Sequence, residues 1–480
     1  MKFIVRILVC TVLMPWLFSC AINPVTGKTE LMLLSEEGEI SMGQETDPQI
    51  VAMYGVYNDW DLDAYVENLG DRMARISHRP NLNYEFKIMD SPAINAFAVP
   101  GGYVYFTRGI LAYLDNEAQL AGVMGHEIGH ITARHSAQQY SKAQLAQAGL
   151  GLGAMVSEPF ANIAQLAGQG LGLLFLKFSR DNERQADQLG VEYSSKVGYD
   201  AREMAHFFET LDRMQDHSKG GLPFFLTTHP NPENRVGSVN LAARKWQDSL
   251  GLTDPKINRV AYLQMIDGIV FGNDPRQGYV ENSVFYHPGM QFMFPVPAGW
   301  QLNNLPSEVQ MASNDQRAAM VFMPGSEATP QAEAKKFIAD NQAAVSSSKD
   351  VLVNGFNAHA LISRVASQSG TVQILSYFIK KESHLFVFHG FTSDQAFDTY
   401  QGTFEKTMTG FKKLRDSSKL RVQPDRIRLK KTNRKMSLRE ALSQMGTPRS
   451  DLEKMAQLNG RELTDQIPAN TYLKVVEKGR

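Results

Sequence analysis

Cysteine is scarce in this chain. The 480 residues include two cysteines, Cys10 and Cys20, and Cys10 lies inside an apolar leader. Removal of that leader would leave Cys20 as the only cysteine of the mature chain. A single cysteine cannot form an internal disulfide, although an exported compartment would permit one. The sequence therefore excludes a disulfide-stapled scaffold.

An excess of one charge sign is also absent. The chain has 49 Lys+Arg against 50 Asp+Glu, which gives a formal net charge of -1. Whole-chain electrostatics therefore gives no reason to expect a nucleic-acid partner. Hydrophobic residues make up 43% and charged residues 21%, which excludes a disordered or collagen-like chain. The length is sufficient for about three domains.

No apolar run is long enough to cross a bilayer. The uncharged run at 7–18 follows Lys2 and Arg6, and this is the pattern of a secretory signal peptide. The run ends in Leu-Phe-Ser-Cys at 17–20. This ending resembles the bacterial lipobox, in which the signal peptide is cut before a cysteine that then carries lipid.

We therefore predict a lipoprotein signal peptide at 1–19 and a lipid anchor on Cys20. The alternative is a conventional signal peptide with an incidental cysteine. Ala21 follows the cysteine, and in Gram-negative lipoproteins the lack of Asp at this position favours the outer membrane. The resemblance implies an exported protein, anchored in the periplasm to the outer membrane.

Repeats of fixed period are absent, which disfavours a tetratricopeptide or other solenoid tail. Hydrophobic periodicity instead predicts an α+β protein whose elements change along the chain. The predicted parts are a tether at 20–34, a mainly helical domain with a small sheet at 35–270, an α+β domain at 280–414 and a small β-α-α-β module at 425–480. The predicted helices of the first domain include 114–139, 183–197, 201–215 and 232–249, and a helix at 332–345 belongs to the second.

The segment 145–178 interleaves Gly and Ala with Leu, Ile and Met. Two hypotheses fit this composition, a mobile hydrophobic lid and a buried helical hairpin with close Gly/Ala packing, since helix packing and membrane contact favour the same small residues. The pattern does not choose between them.

The strongest chemical signal is His126-Glu127-Ile128-Gly129-His130. Two histidines at positions i and i+4 of a helix project from the same face and can bind one metal ion. The Glu between them can act as a general base. A catalytic zinc site typically has three protein ligands, so a third ligand must come from elsewhere.

A second acidic pair lies about fifty residues further on. Glu183 and Asp187 share a helix face. One of them can bind the metal, while the other can accept a proton from a ligand imidazole and so determine its tautomer.

These motifs together resemble the HtpX-like, CaaX-prenyl-endopeptidase-related zinc metallopeptidases, family forty-eight among metallopeptidases, and in particular their exported, BepA-like branch. The matching segments are Asn23 to Gly27, Asn95 to Gly102, the His126 motif, Glu183 to Gly190 with Gly198 to Asp200, and Thr228 to Pro230 with Arg235. The resemblance covers roughly residues 20 to 265. It implies a gluzincin-type fold and one Zn²⁺ held by His126, His130 and Glu183, with Asp187 supporting a ligand.

The same resemblance implies further roles. Glu127 would be the general base, and His229 and Arg235 are candidates to stabilise the oxyanion. In the exported branch, the histidine equivalent to His229 can also close the zinc site. Val99, Gly101, Gly102 and Tyr103 belong to a segment predicted to be the edge strand that aligns an extended substrate by main-chain hydrogen bonds. His135 is predicted to be structural.

Two resemblances concern the remaining domains. The segment 294–300 resembles the start of photosystem-accessory modules. The module at 425–480 resembles LysM, whose family binds peptidoglycan. The LysM-like module lacks the usual Gly-Asp-Thr start and has Asn433 to Met436 instead. An inert helix-strand cap is the alternative to glycan binding.

The sequence as a whole predicts a zinc-dependent endopeptidase of the cell envelope, with unfolded or misassembled periplasmic and outer-membrane proteins as substrates. The resemblance to the exported branch implies outer-membrane protein quality control, but that branch's best-known member has tetratricopeptide repeats, which this chain lacks. The rival hypothesis is an envelope lipoprotein that acts as a chaperone or binds peptidoglycan, with gated or minimal proteolysis.

Overall fold

The computed structural model describes residues 20–147, 178–217, 224–230, 234–367 and 370–479. These residues form two compact units. The first unit contains residues 56–272 and 426–477 together with the segment that ends at Val51, and the second contains mainly residues 273–425. A helical region is followed by a sheet-rich region, so the predicted mixture of helix and sheet is confirmed.

The first unit is mainly helical. It opens with strands β1 (Cys20–Ile22) and β2 (Thr29–Leu31), which pair as an antiparallel hairpin. Its helices before residue 272 are α1 (Glu36–Tyr54), α2 (Trp60–Ala74), α3 (Arg108–Tyr113), α4 (Glu117–Thr132), α5 (His135–Gln147), α6 (Arg180–Lys196), α7 (Arg202–His217), α8 (Phe224–Thr228), α9 (Arg235–Leu250) and α10 (Arg259–Met265). The helices pack around α4, all of whose residues are buried.

A small sheet accompanies these helices. Strands β3 (Glu85–Met89), β4 (Ala96–Val99) and β5 (Tyr103–Thr107) have the order β3-β5-β4. Strand β5 is therefore central, parallel to β3 and antiparallel to β4. Alternation of apolar side chains at 84–89 predicts strand β3, and the β-branched and aromatic run at 103–106 predicts strand β5; the structure confirms both strands.

The helix predicted at 114–139 is wrong as a single element. The structure has two helices there, α4 and α5, because Arg134 takes a left-handed backbone conformation with φ 58°. Its guanidinium offsets the unfavourable conformation: Nε donates to Glu39 Oε1 at 2.6 Å and Nη2 donates to the carbonyl of Leu34 at 2.8 Å. The break ends α4 at Thr132, and α5 begins at His135.

The second unit is built on a seven-stranded antiparallel sheet. Its elements are β6 (Tyr279–Glu281), β7 (Val284–His287), β8 (Phe292–Pro295), β9 (Gln301–Asn304), β10 (Val309–Ala312), β11 (Ala318–Pro324), α11 (Pro330–Asn341), β12 (Ala344–Val353), β13 (Phe356–Ser367), β14 (Gly370–Lys381), β15 (His384–Ser393), α12 (Phe397–Thr409), β16 (Lys412–Lys413) and α13 (Ser417–Leu420). The large sheet has the order β12-β13-β14-β15-β11-β10-β9, and a four-stranded sheet has the order β16-β8-β7-β6.

The helix predicted at 332–345 is too long. Helix α11 ends at Asn341, and the chain continues as strand β12. Gln342 ends the helix in a left-handed conformation with φ 48°. Most of β12 is exposed and polar, which is why its sequence lacked the alternation that identified the other strands.

The tail returns to the first unit. It consists of β17 (Arg426–Lys431), β18 (Met436–Ser437), α14 (Leu438–Gln444), α15 (Leu452–Leu458), β19 (Gln466–Ile467) and β20 (Tyr472–Glu477). Strands β17 and β20 pair antiparallel, in the predicted β-α-α-β order. Ile427, Leu438 and Leu473 are buried in the same hydrophobic cluster as Leu111 and Tyr262, so the tail packs as part of the first unit.

Lys474 joins the tail to helix α3. Its side chain is fully buried, and Nζ donates to the carbonyls of Ala112 at 3.0 Å and Leu114 at 2.7 Å. A lysine at the carboxyl end of a helix satisfies carbonyls that lack a partner within the helix. In the described parts of the chain, no helix is long and apolar enough to span a membrane.

Candidate metal centre

Helices α4 and α6 carry the site, and glycines let them approach closely. Asn116 begins α4 by accepting a hydrogen bond from the backbone of Gln119, and Ser179 begins α6 in a capping box. A Cβ placed on Gly190 of α6 would lie only 3.0 Å from the backbone nitrogen of His126. Only glycine therefore allows this crossing, and the crossing brings side chains of both helices together.

The three predicted ligands converge in the interior of the first unit. His126 Nε2 and His130 Nε2 lie 3.1 Å apart. Glu183 reaches them from α6, with Oε2 at 3.6 Å from His126 Nε2 and Oε1 at 3.5 Å from His130 Nε2. All three side chains are buried.

His229 completes the group. Its Nδ1 lies 3.3 Å from His126 Nε2 and 3.1 Å from Glu183 Oε1. The His229 ring stacks on Phe225 of α8, with 4.5 Å between ring centroids. Helix α8 therefore holds His229 directly against the three predicted ligands.

The spacing of these four side chains is compatible with one metal ion. Zinc bonds of about 2.0–2.1 Å in a tetrahedron require neighbouring ligand atoms about 3.4 Å apart. Five separations in the group lie between 3.1 and 3.6 Å, with Glu183 contributing Oε2 towards His126 and Oε1 towards His130 and His229. One ligand atom from each residue lies within 4.8 Å of the others. Imidazole and carboxylate are also the ligands that zinc prefers. The group can thus hold a metal ion.

The pKa shifts of two histidines in the group have opposite signs. Burial, and then the neighbouring His126 and His135, lower the pKa of His130 well below its ordinary value, so the ring is neutral and can act as a ligand. Burial also lowers the pKa of His229, but Glu183 and Glu127 outweigh this effect, and the net pKa is raised.

Glu127 lies next to the group without a hydrogen-bond partner. Both carboxylate oxygens are buried, and neither accepts a hydrogen bond within the described residues. The nearest cationic group is His229, whose Nε2 lies 3.7 Å from Glu127 Oε1. Burial raises the pKa of the Glu127 carboxyl. Because an unsatisfied buried carboxylate is costly, this side chain is arranged for a partner that enters the site.

Asp187 and Arg235 support the ligands from behind. Asp187 Oδ1 lies 3.0 Å from His126 Nδ1, so it can accept the proton on Nδ1 and leave Nε2 free to bind metal. Arg235 donates to both oxygens of Asp187, at 2.9 and 2.7 Å, and its Nη2 lies 3.4 Å from Glu183. Burial alone would raise the pKa of Asp187, but Arg235 and His126 lower it by a larger amount. The net pKa lies below its ordinary value, so the carboxyl stays ionised.

The position of Arg235 bears on its predicted role. Its guanidinium stacks on Phe208 at 3.7 Å, and its Nε and Nη2 bind the acidic side chains of α6, while Nη1 is buried without a hydrogen-bond partner within the described residues. It therefore lies behind Glu183 and Asp187, where it can position them. Stabilisation of an oxyanion by Arg235 stays a prediction.

His135 and Gln185 were missed as parts of the site. His135 Nδ1 lies 3.0 Å from His130 Nδ1, and His135 Nε2 lies 2.9 Å from Gln185 Oε1. Because His130 offers Nε2 to the metal group, its proton is on Nδ1 and is donated to His135. His135 then carries its own proton on Nε2, which it donates to Gln185. The only sequence signal was a histidine five residues after His130.

The predicted edge strand is only partly correct. Val99 ends strand β4, which lies at the edge of its sheet. Gly101 and Gly102 form the turn with φ values of 88° and 105°. Tyr103 begins β5, the central strand, so the prediction is wrong for this residue: both sides of β5 are already paired, and it cannot receive a substrate strand. Among the described residues, β4 and β3 are the two edge strands of this sheet, and Ile94 just before β4 accepts a hydrogen bond from the backbone of Phe225 at 3.0 Å.

Two predicted features lie wholly or mainly outside the described residues. The signal peptide at 1–19 is one, and most of the 145–178 segment is the other. Phe178, at the end of that segment, is described and stacks on His130 with 4.0 Å between ring centroids. Cys20 lies at the start of β1.

The comparison with protein families agrees with this geometry. Residues 61–242 match the sequence model of peptidase family M48. The matched range includes His126, His130, Glu183 and His229, so all four members of the metal group lie in the region similar to peptidase family M48.

The chain is also similar to proteins named as proteases. The chain is 32% identical over 231 residues to the beta-barrel assembly-enhancing protease of Escherichia coli (strain K12), which covers 46% of this chain and 47% of the relative. It is 28% identical over 228 residues to the mitochondrial metalloendopeptidase OMA1 of Schizosaccharomyces pombe, which covers 45% of this chain and 64% of the relative. The chain thus spans about half the length of the curated relatives that it matches.

Solved structures add little for the second unit. The chain is similar to cyanobacterial PsbP (CyanoP) from Synechocystis sp. PCC 6803 at a TM-score of 0.25, with 14% identity over 28% of this chain and 96% of that chain. A similarity at this level assigns neither a fold nor a role.

Proposed function

We propose that the protein is a zinc-dependent endopeptidase that hydrolyses peptide bonds with Glu127 as the general base. The observation that carries this proposal is the buried tetrahedral group of His126, His130, Glu183 and His229 beside an unpartnered carboxylate. Names of relatives that include protease and metalloendopeptidase support it.

The chemistry divides between the metal and the chain. Zinc bound in this group would polarise the scissile carbonyl and lower the pKa of water. Glu127 accepts the proton of the attacking water and returns it to the leaving amine. Its raised pKa suits both steps, because a carboxyl that is too acidic could not hold the proton in between. Asp187 keeps the His126 proton on Nδ1 throughout.

We further propose that His229 closes the site in this conformation. Its Nδ1 occupies the fourth corner of the tetrahedron, which an active site must leave open for water or substrate. Withdrawal of His229 would open that corner and free Glu127 from the neighbouring imidazole. A role for His229 in stabilising the oxyanion is the alternative, and it would require the ring to stay near the site.

We place the enzyme in the cell envelope, anchored by lipid on Cys20 at the periplasmic face of the outer membrane. We propose unfolded or misassembled envelope proteins as substrates, aligned along the free edge of β4 by main-chain hydrogen bonds. Support for this comes from the lipobox-like letters and from the name of the Escherichia coli relative. Binding of peptidoglycan by residues 425–480 stays a prediction.

The decisive experiment compares Glu127→Gln with the wild-type chain. We expect the variant to keep one zinc per chain, because Glu127 is not a member of the metal group, and to lose cleavage of unfolded casein by at least about a hundredfold. Elemental analysis and casein cleavage on the same samples would measure both. Equal cleavage by variant and wild type would rule out Glu127 as the base.

His229→Ala separates the two roles of His229. If the histidine closes the site, the variant should cleave casein several times faster than the wild type. If it stabilises the oxyanion, cleavage should fall. A wild-type chain that binds zinc but is inactive, together with an active His229→Ala, would favour a gated enzyme over a chaperone that only holds its clients.

A further inference from the structure

The hairpin formed by β1 and β2 has one buried and one exposed face. Asn23 and Met32 point inward and are 0% and 4% exposed. Ile22, Leu31 and Leu33 alternate with them and are 64%, 38% and 42% exposed. Successive side chains of an extended chain point to opposite faces. Ile22 and Leu31 therefore share the outer face of the hairpin. Leu33 follows β2 in a bend and is also exposed. We call these three side chains the apolar face.

An apolar outer face is unusual for a short hairpin. When a sheet packs one face against a core, the other face is normally polar because water covers it. Isolated surface leucines need no explanation, but a group of them on one face marks a contact surface. Thr29, opposite Ile22 in the register, is the polar member of this face.

The hairpin is fastened to the end of the metal-carrying helix. Asn23 Nδ2 donates to the carbonyl of Ala133, the residue that follows α4, at 3.3 Å. The backbone nitrogen of Leu33 donates to Ser141 Oγ of α5 at 2.8 Å. Asn23 also donates to Glu30 Oε1 at 3.0 Å, across the hairpin. The apolar face is thus held in a fixed orientation relative to His126 and His130.

We propose that the apolar face rests in the interfacial layer of a lipid bilayer, and that this contact sets the orientation of the metal group above the membrane. The inference rests on the lipid anchor proposed for Cys20. In the antiparallel register Cys20 is paired with Leu31, so a lipid on Cys20 would begin at this very hairpin. An acyl anchor and adjacent apolar side chains reinforce each other at a membrane surface.

A single introduced cysteine can report the environment of the face. The mature chain would have no free thiol, since Cys10 lies in the leader and Cys20 carries the lipid. We would label Ile22→Cys and Leu31→Cys with an environment-sensitive nitrobenzoxadiazole dye. Leu241→Cys is the matched control, because Leu241 is an exposed leucine on helix α9 whose exposure of 57% lies between those of Ile22 and Leu31.

The full mature chain, acylated, would be reconstituted on vesicles of phosphatidylethanolamine and phosphatidylglycerol. We expect the dye at positions 22 and 31 to shift to shorter wavelength, to brighten several-fold and to be quenched by bromolipids. The dye at 241 should report water. If the dyes at 22 and 31 behave like the one at 241, the proposal is wrong.

A second series of measurements separates membrane contact by the apolar face from acylation of Cys20. Mass spectrometry of the peptide containing Cys20 shows whether the cysteine is acylated. An acylated chain whose face stays in water overturns the apolar contact and leaves the anchor intact. An unacylated chain whose dyes still shift on vesicles supports the contact and overturns the anchor.

The Cys20→Ser chain in buffer tests whether another part of the same chain covers the apolar face. If the dyes at 22 and 31 are already shielded without vesicles, another part of the same chain covers the face, and the proposal fails. If they report water in buffer, replacement of Ile22, Leu31 and Leu33 by Asn in this chain should lower sedimentation with vesicles several-fold. Leu241→Asn should leave it unchanged.

Discussion

The two units differ in what they bury. The core of the second unit is apolar and rich in phenylalanine, with Phe292, Phe294, Phe322 and Phe388 in mutual contact. The interior of the first unit, in contrast, contains its histidines, acids and an arginine at the metal group. Packing alone explains the second core, because every side chain there gains from leaving water. Burial of so many charged groups makes sense only with a ligand that they share.

The largest expected effect comes from removing a ligand. Glu183→Ala should lose bound zinc and lower casein cleavage by at least about a hundredfold, because the metal group loses its only carboxylate and Arg235 loses one of its two acidic partners. Elemental analysis and cleavage would be followed on the same samples. Glu192→Ala on the same helix is the control, since Glu192 pairs with Lys196 outside the metal group. Zinc retained at wild-type level in Glu183→Ala would remove Glu183 from the ligand set.

The matching change in the second unit should affect stability alone. Phe322→Ala deletes a ring packed against Phe294, Phe386 and Phe388 and should cost about 3–5 kcal/mol of local stability. Hydrogen exchange in strands β13 to β15 would measure this loss. Zinc content should stay at one per chain. A folded Phe322→Ala chain that lost its zinc would contradict the distinction between the apolar core of the second unit and the metal group of the first.

Lys474 tests a third kind of burial, because it is a buried charge of the first unit outside both the metal group and an apolar core. Burial lowers the pKa of its ammonium to about 7 from 10.5. Between these values the unfolded chain binds one more proton than the folded chain, so the free energy of unfolding rises with pH. The expected slope is at most about 1.4 kcal/mol per pH unit.

Denaturant unfolding of wild type and Lys474→Met between pH 7 and 9 would isolate this contribution, because other groups cancel in the difference. The wild type should gain stability relative to the variant as pH rises. Parallel curves would mean that Lys474 keeps its proton, held by the carbonyls of Ala112 and Leu114. Loss of the metal site in Lys474→Met would show that the tail also supports the chemistry.

The smallest expected effect concerns His135. His135→Leu removes the acceptor for the His130 Nδ1 proton and should weaken zinc binding about 10- to 100-fold. His135→Asn, whose side-chain oxygen can accept the same proton, should restore part of the affinity. Competition with a chelator would measure zinc affinity directly. His206→Leu, at an exposed histidine, is the control, and equal affinities in all variants would return His135 to a purely structural role.

Features that depend on residues close together in the sequence were predictable, and features that depend on distant residues were not. The spacing of His126 and His130 needs only a helix, and the capped ends of α4 and α6 match the sequence signals for helix starts. The break at Arg134 was missed, because it depends on Glu39, which lies 95 residues away in the sequence. Strand β12 was missed because it is exposed and lacks a hydrophobic alternation.

The sequence by itself determined that two imidazoles share one face of a helix with a Glu between them in the sequence, and that an acidic pair on a second helix could join them. Helical spacing carries that information because it is a local property. Only the tertiary structure decided that His229 lies among His126, His130 and Glu183, that His135 contacts His130, and that the tail packs into the first unit. Those contacts join residues far apart in the chain, and packing rather than local spacing determines them.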